Sequence, residues 1–306
     1  MNERAPQPPG RHYPREPGRV RSIRRSLLAF SAAALAVAIA AGVHTVAEAH
    51  SAALSGTPDA GAKGTLGSAK AGASGAGPVD AQLDAEINRI IRTNGDYRIG
   101  VALLDLSGGA VHQYGVGDGF VAASTAKVLA AEAYYHLAES GEVSLDDPLG
   151  DYTAGFQLKE MIQQSDNDSW SLVMDAVGHS ALEDYAASVG VDYDVESNTL
   201  TPAGMARVLA GLYSGELLDA EDTAQLLSYM QDTNNETLIP AAVPAAVTVF
   251  HKYGLLGGEL HDAAILEEYG DAYAFVVYTE GEDLTSVPER TEIIHRITAA
   301  VADALF

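Results

Sequence analysis

Between Thr125 and about Leu238 the chain reads as helices broken by Gly, Asp and Pro, and on either side of that stretch it reads as strands. A sheet assembled from two distant parts of one chain, with helices inserted between them, is the arrangement this pattern allows. On the N-terminal side, residues 98–106 are β-rich, Ser107-Gly108-Gly109 is turn chemistry, and 110–114 returns as the second strand of a hairpin. On the C-terminal side, period-two and β-branched patterning marks strands at 247–252, 261–267 and 273–278. Helices are expected over 128–139, 158–164, 169–177 and 202–214. Leu83, Ile87, Ile90 and Ile91 recur at helical spacing behind Asp80, which suits a cap, and Gly95 marks the stop of a helix of about 14 residues. Ile294, Ile297, Val301 and Leu305 share one face of a closing helix. The expected fold class is α+β: an antiparallel five-stranded sheet flanked by the N- and C-terminal helices, with an all-helical insertion.

The first quarter of the chain is of another kind. Residues 1–25 carry seven Arg and five Pro, and an apolar run without charge follows at 27–46, about long enough to span a bilayer. Ala47-Glu48-Ala49 places small residues two apart, as a signal peptidase requires. Residues 1–49 are therefore expected to be a basic n-region plus a signal peptide or a retained transmembrane anchor, and in both cases the positive flank directs the remainder outward. The expected localisation is extracellular or cell-envelope. Arg24-Arg25-Ser26-Leu27-Leu28 fits a twin-arginine signal as well as an ordinary n-region. Residues 50–77 are dominated by Ala, Gly and Ser, which bury too little apolar surface to offset chain entropy, so they are expected to be a disordered linker. The globular domain is expected at 78–306.

No cysteine is present, so an exported domain of this size must rest on its own core. Residues 26–306 hold 11 Lys and Arg against 40 Asp and Glu. Such a surface excludes nucleic acid and anionic polymers as direct ligands and favours a soluble monomer.

Three short strings carry the chemistry: Ser124-Thr125-Ala126-Lys127, Ser165-Asp166-Asn167 and Lys252-Tyr253-Gly254. Residues three apart on a helix share a face, so Lys127 lies against Ser124. A serine hydroxyl becomes a useful nucleophile when a neighbouring base takes its proton, and apolar surroundings with a second cation lower a lysine enough to serve. Ala122, Ala123, Ala126 and Val128 are such surroundings. Lys252 ends the apolar stretch 247–250, and Gly254 lets a substrate approach the strand edge, where the N–H groups of Leu255 and Ser124 would form an oxyanion hole.

In this order the motifs resemble the SxxK, SDN and KTG signature of the serine β-lactamase and penicillin-binding protein superfamily, most nearly the class A β-lactamases. Gly141-Glu142-Val143-Ser144-Leu145-Asp146-Asp147-Pro148 and Thr201-Pro202-Ala203-Gly204-Met205-Ala206-Arg207 are similar to two further stretches of that family. The resemblance implies that Ser124 is the nucleophile, that Lys127, Ser165 and Lys252 move protons, and that Asn167 hydrogen-bonds the amide side chain of the substrate. It also implies a β-lactam or a peptidoglycan-derived peptide as small-molecule partner, without cofactor or metal.

Three positions depart from the pattern. Tyr253 stands where the family has Thr, which carries its hydroxyl outward from the carboxylate it would recognise. The 191–200 segment holds Glu196 and Asn198 two apart, not the Glu and Asn four apart that activate deacylating water, which leaves Glu196, Asp192 or another group for that task. The family's basic residue on the next strand is His261, directed at the substrate or into the core. These residues predict an acyl-enzyme on Ser124 with slow deacylation, a D,D-peptidase being the alternative enzyme and an envelope protein that binds cell-wall peptide or antibiotic without turnover the alternative of another class.

Overall fold

The computed structural model describes residues 80–306. The expected signal or anchor and the linker lie outside the described residues, among which no helix is long and apolar enough to cross a membrane. Helix α1 (Ala81–Arg92) starts where Asp80 accepts the N–H groups of Gln82 and Leu83 at 3.0 and 2.8 Å. It stops before Gly95 because Thr93 Oγ1 and Asn94 Nδ2 both donate to the Ile90 carbonyl, closing the last turn early. Leu83, Ile87 and Ile90 face inward, against the C-terminal helix and the sheet.

Five strands, β1 (Arg98–Asp105), β2 (His112–Gly115), β3 (Thr248–Leu256), β4 (Glu259–Glu268) and β5 (Asp271–Glu280), form one antiparallel sheet in the order β2-β1-β5-β4-β3. The N-terminal hairpin is thus joined to the C-terminal meander through β1 and β5, whose register runs from Arg98 opposite Glu280 to Asp105 opposite Tyr273. The last three strands are longer than the sequence pattern predicts because their connections are minimal. Between β4 and β5, Tyr269 and Gly270 both take positive φ, +52° and +94°, a turn that matches strand twist and lets the ladder run to its end.

Six helices fill the interval between β2 and β3: α2 (Lys127–Glu139), α3 (Ala154–Gln163), α4 (Asn167–Val177), α5 (His179–Ser188), α6 (Pro202–Ser214) and α7 (Ala220–Tyr229). Helix α6 has the predicted limits, with Thr201 accepting the Gly204 N–H at 2.9 Å, Pro202 in the first turn and Gly215 left-handed at the stop. Ala263, Ile265, Val276 and Tyr278 turn one sheet face to this layer. Ala264, Leu266, Phe275 and Val277 turn the other to α1 and to α8 (Val287–Leu305). Fully burying each such large side chain contributes about 1.5–3 kcal/mol. Helix α2 is buried on every side from Lys127 to Tyr135, so its first turn is held by the core itself.

Candidate active site

Ser124 lies on a 3-10 turn, Ala123–Ala126, that leads into α2, so it precedes the α-helix rather than starting it. Ala123 has φ +50°, a left-handed conformation that a residue with a side chain adopts only when its surroundings impose it. The imposing contacts are on both sides. The Ala122 N–H donates to the Asn198 carbonyl at 2.7 Å, and Asn198 Nδ2 donates back to the Ala123 carbonyl at 3.1 Å. Thr125 Oγ1 bonds the Ala122 carbonyl at 2.7 Å and the Tyr278 hydroxyl at 2.6 Å, fastening the turn to the sheet.

Strand β3 closes the third side. A Cβ on Gly254 would stand 3.1 Å from the Ala122 carbonyl oxygen and 3.2 Å from the Ser124 nitrogen, so only glycine lets the strand touch the Ser124 turn unstrained. That contact places the Ser124 N–H beside the edge of the sheet that carries Leu255, where the oxyanion hole is expected. Leu255 is exposed on that edge.

Lys127 is buried, and its Nζ donates to the Ser165 carbonyl (2.7 Å), the Asp166 carbonyl (3.2 Å) and Asn167 Oδ1 (2.7 Å). The SDN residues divide their work accordingly. Ser165 has φ +54°. Asp166 caps α4 by accepting the Ser169 N–H at 2.7 Å, and that bond, ahead of the other causes, holds its carboxyl below the usual range. Exposed Asn167 gives its side-chain oxygen to Lys127, which leaves its amide N–H groups to act as donors.

Burial pushes the Lys127 ammonium down to about 8, opposed in part by Asp166. Lys252, with no exposed surface, is driven further, to about 7, by burial and then by the charge of Lys127, with Asp262 opposing. The two lysines are therefore close enough that both cannot easily stay charged. Lys252 Nζ donates to its neighbour's carbonyl, Tyr253, at 3.1 Å and lies 4.2 Å from the centre of the Tyr253 ring. The half-buried ring of Tyr253 thus covers Lys252.

His261 is not part of this surface. It is fully buried, stacked on Tyr278 with ring centres 4.1 Å apart and edge-on to Phe120. Its Nε2–H donates to the Val121 carbonyl at 2.9 Å and its Nδ1 accepts the Thr279 N–H at 3.1 Å, so the ring holds the chain behind the Ser124 turn and has no nitrogen left for a substrate. Glu196 also points elsewhere, exposed and 3.2 Å from His179 Nδ1, and Asp192 is exposed. Asn198 is the residue of that segment that reaches the site. With φ +52° and its Oδ1 accepting the hydroxyl of buried Tyr193 at 2.9 Å, it is a structural clamp on Ala123. Its sequence signal is only that Asn tolerates left-handed turns.

A model of the Beta-lactamase enzyme family matches residues 82–305, nearly the whole described chain. The chain belongs to the β-lactamase enzyme family. Among solved structures, PBP-A superposes with a TM-score of 0.68 at 23% identity, covering 73% of this chain and 96% of PBP-A. A β-lactamase from Chitinophaga pinensis gives 0.67 at 24% identity, over 73% of this chain and 99% of that one. A mutant class A β-lactamase of the last common ancestor of Gram-negative bacteria gives 0.67 at 25% identity, over 73% and 98%. This β-lactamase family member therefore has the serine β-lactamase and penicillin-binding protein fold, with Ser124, Lys127, Ser165 and Lys252 carried on the elements that bring its three motifs together.

Proposed function

We propose that this protein is a serine hydrolase that is acylated on Ser124 by a β-lactam or a related amide. The observation that carries the reading is the pair of buried lysines, Lys127 and Lys252, held at about 8 and about 7 beside the Ser124 and Ser165 turns. A neutral amine takes the Ser124 hydroxyl proton while Oγ attacks the carbonyl carbon. The resulting oxyanion lies between the N–H groups of Ser124 and Leu255. As the C–N bond breaks, Ser165 gives its proton to the leaving nitrogen and is resupplied from the lysine ammonium, which leaves an ester on Ser124. Asn167 orients the substrate through its free amide N–H groups.

Water must then cleave the ester, and neither Glu196 nor Asp192 is turned towards Ser124 to activate it. Slow deacylation follows from that, and it favours as a second reading a D,D-peptidase that works on a stem peptide of the cell wall. A mutant of PBP-A has been seen as an acyl-enzyme with penicillin G, which is consistent with either. Export through residues 1–49 and action as a monomer outside the cell complete the proposal.

The test is the intact mass of the full-length protein after exposure to penicillin G, followed over time. A transient adduct is expected of a β-lactamase and a lasting one of a peptidase. Ser124→Ala should remove the adduct while leaving the folded spectrum unchanged, and labelling that survives this substitution would remove Ser124 from the mechanism.

A further inference from the structure

One polar cluster next to the site has no part in the steps above. His251, immediately before Lys252, is fully buried with Asp262 of β4, and the two join at 2.9 Å between Nδ1 and Oδ1. The other ring nitrogen, Nε2, lies 3.2 Å from Glu236 Oε1 and 3.1 Å from Thr233 Oγ1. Both partners belong to the 231–239 segment between α7 and β3. Asp262 Oδ2 accepts the Ile239 N–H of the same segment at 3.0 Å, and the His251 N–H donates to the Met230 carbonyl at 2.7 Å. His251 and Asp262 thus tie the segment to the strand of Lys252.

The opposite side of the segment is tied to the turn of Ser165. The Asn234 N–H donates to the Gln163 carbonyl at 2.9 Å, Asn234 Nδ2 donates to the Gln164 carbonyl at 2.6 Å, and Gln163 Nε2 donates to the Gln231 carbonyl at 3.0 Å. The residues gripped at the two ends are the immediate neighbours of Ser165 and Lys252. No other described segment makes side-chain hydrogen bonds to both Gln164 and His251.

We propose that His251 is a positioning residue: as a doubly protonated bridge between Asp262 and Glu236, it holds the 231–239 segment as a strut between the Ser165 turn and the Lys252 strand and so fixes the spacing of two proton-carrying residues. The catalytic meaning of that spacing rests on the acyl-transfer reading; the strut itself does not. Charge complementarity favours the second proton: with Nδ1–H on buried Asp262, an unprotonated Nε2 would turn its lone pair towards the Glu236 carboxylate oxygen 3.2 Å away. Burial pushes the ring down, but Asp262 and Glu236 outweigh it and hold His251 up at about 9. Hydrogen bonding from His251 in turn keeps Glu236 below the usual carboxylate range. The remaining charged or titratable neighbours are Lys252 on the same strand, within the field of Asp262, and His295 of α8, which bonds the Thr237 carbonyl at 2.8 Å. Both catalytic lysines titrate below His251, so the release of the strut forms a separate, alkaline limb.

The experiment compares the full chain with Glu236→Gln, a change at a half-exposed side chain that keeps an acceptor and removes its charge. Nitrogen NMR of labelled histidine should show both His251 ring N–H groups up to about pH 9 and a midpoint about one unit lower in the variant. Amide exchange at 163–166 and 231–239 should quicken over the same interval. The second-order rate of acylation by penicillin G at pH 9 should stand at about half its plateau in the wild type and about a tenth in Glu236→Gln, with the acid limb unmoved. A His251 midpoint near 6.5, or an alkaline limb and exchange pattern unmoved by the variant, would overturn the strut. Exchange that responds as described in a protein that takes up no penicillin overturns the acyl-transfer reading instead.

Discussion

Raising the pH from 6 to 8 should accelerate acylation of Ser124 by roughly 50-fold, because the base is a lysine whose proton is already loosened by the fold. With Lys127 at about 8, about 1% of the molecules carry it neutral at pH 6, about 9% at pH 7 and half at pH 8. An ordinary lysine would be neutral in about 0.03% of molecules at pH 7, so burial raises the supply of base by roughly 300-fold. Lys252 titrates first, at about 7, since it feels the charge of Lys127; once neutral, it no longer repels the second proton. The two midpoints belong to the pair, and the rate should climb as one broad limb through pH 6–8. The assay is stopped-flow acylation by a fluorescent penicillin at fixed ionic strength, with Lys127→Ala alongside. That variant should lose about 10² to 10⁴ in rate together with the limb. A wild-type rate flat between pH 6 and 8, or a limb that survives in Lys127→Ala, would refute the reasoning.

Gly254→Ala should slow acylation by about tenfold or more with a smaller change in stability, because a Cβ at 3.1–3.2 Å from the Ala122–Ser124 backbone must move the nucleophile turn by a few tenths of an ångström; stopped-flow rates beside a thermal melt separate the two effects. Hydrolysis of a chromogenic cephalosporin should show a burst of one equivalent followed by a slow phase, with the slow phase unchanged in Glu196→Gln, since Glu196 faces His179. His261→Ala should lower the melting point, leaving the Val121 carbonyl without its partner at about 1–3 kcal/mol, while the shape of the pH–rate profile stays as in the wild type. Between pH 6.5 and 9 His251 makes stability fall as pH rises, because the folded state holds a proton the unfolded chain has lost; the two lysines, depressed in the folded state, make it rise between about 7 and 10. Urea melts of Glu236→Gln and Lys252→Met across that range should show the opposite slopes.

The sheet and its helical insertion were legible because the apolar pattern changes period at both ends of the insertion, and α6 was legible to the residue because Thr201, Pro202 and Gly215 each fit a specific terminal position. The three motifs were legible by their order, and the fold brings Lys127 against Ser165 and Asn167 and Gly254 against the Ser124 turn. What spacing could not convey was direction. His261 and Lys252 lie on the same sheet face, but His261 sits opposite Gly254, under the nucleophile turn, and is sealed there. Asn167 was legible as a motif residue, but not as the acceptor that fixes Lys127. Asn198 and His251 act through backbone groups distant in the chain, and no local pattern encodes such a meeting.

Strand β3 pairs with β4 on one side only, and its far end leaves Leu255 and Leu256 exposed. An open, apolar strand end is what another polypeptide would add itself to, and proteins commonly blunt such edges with a lysine or a proline. On the proposed reading the edge cannot be blunted, since a substrate would lie along it, and its own lysine is buried. Deterrence has to come from elsewhere on the molecule. With 40 acidic against 11 basic residues beyond position 25, each copy repels the next at the distance of approach, so colloidal charge guards an edge that sequence at the edge itself leaves open.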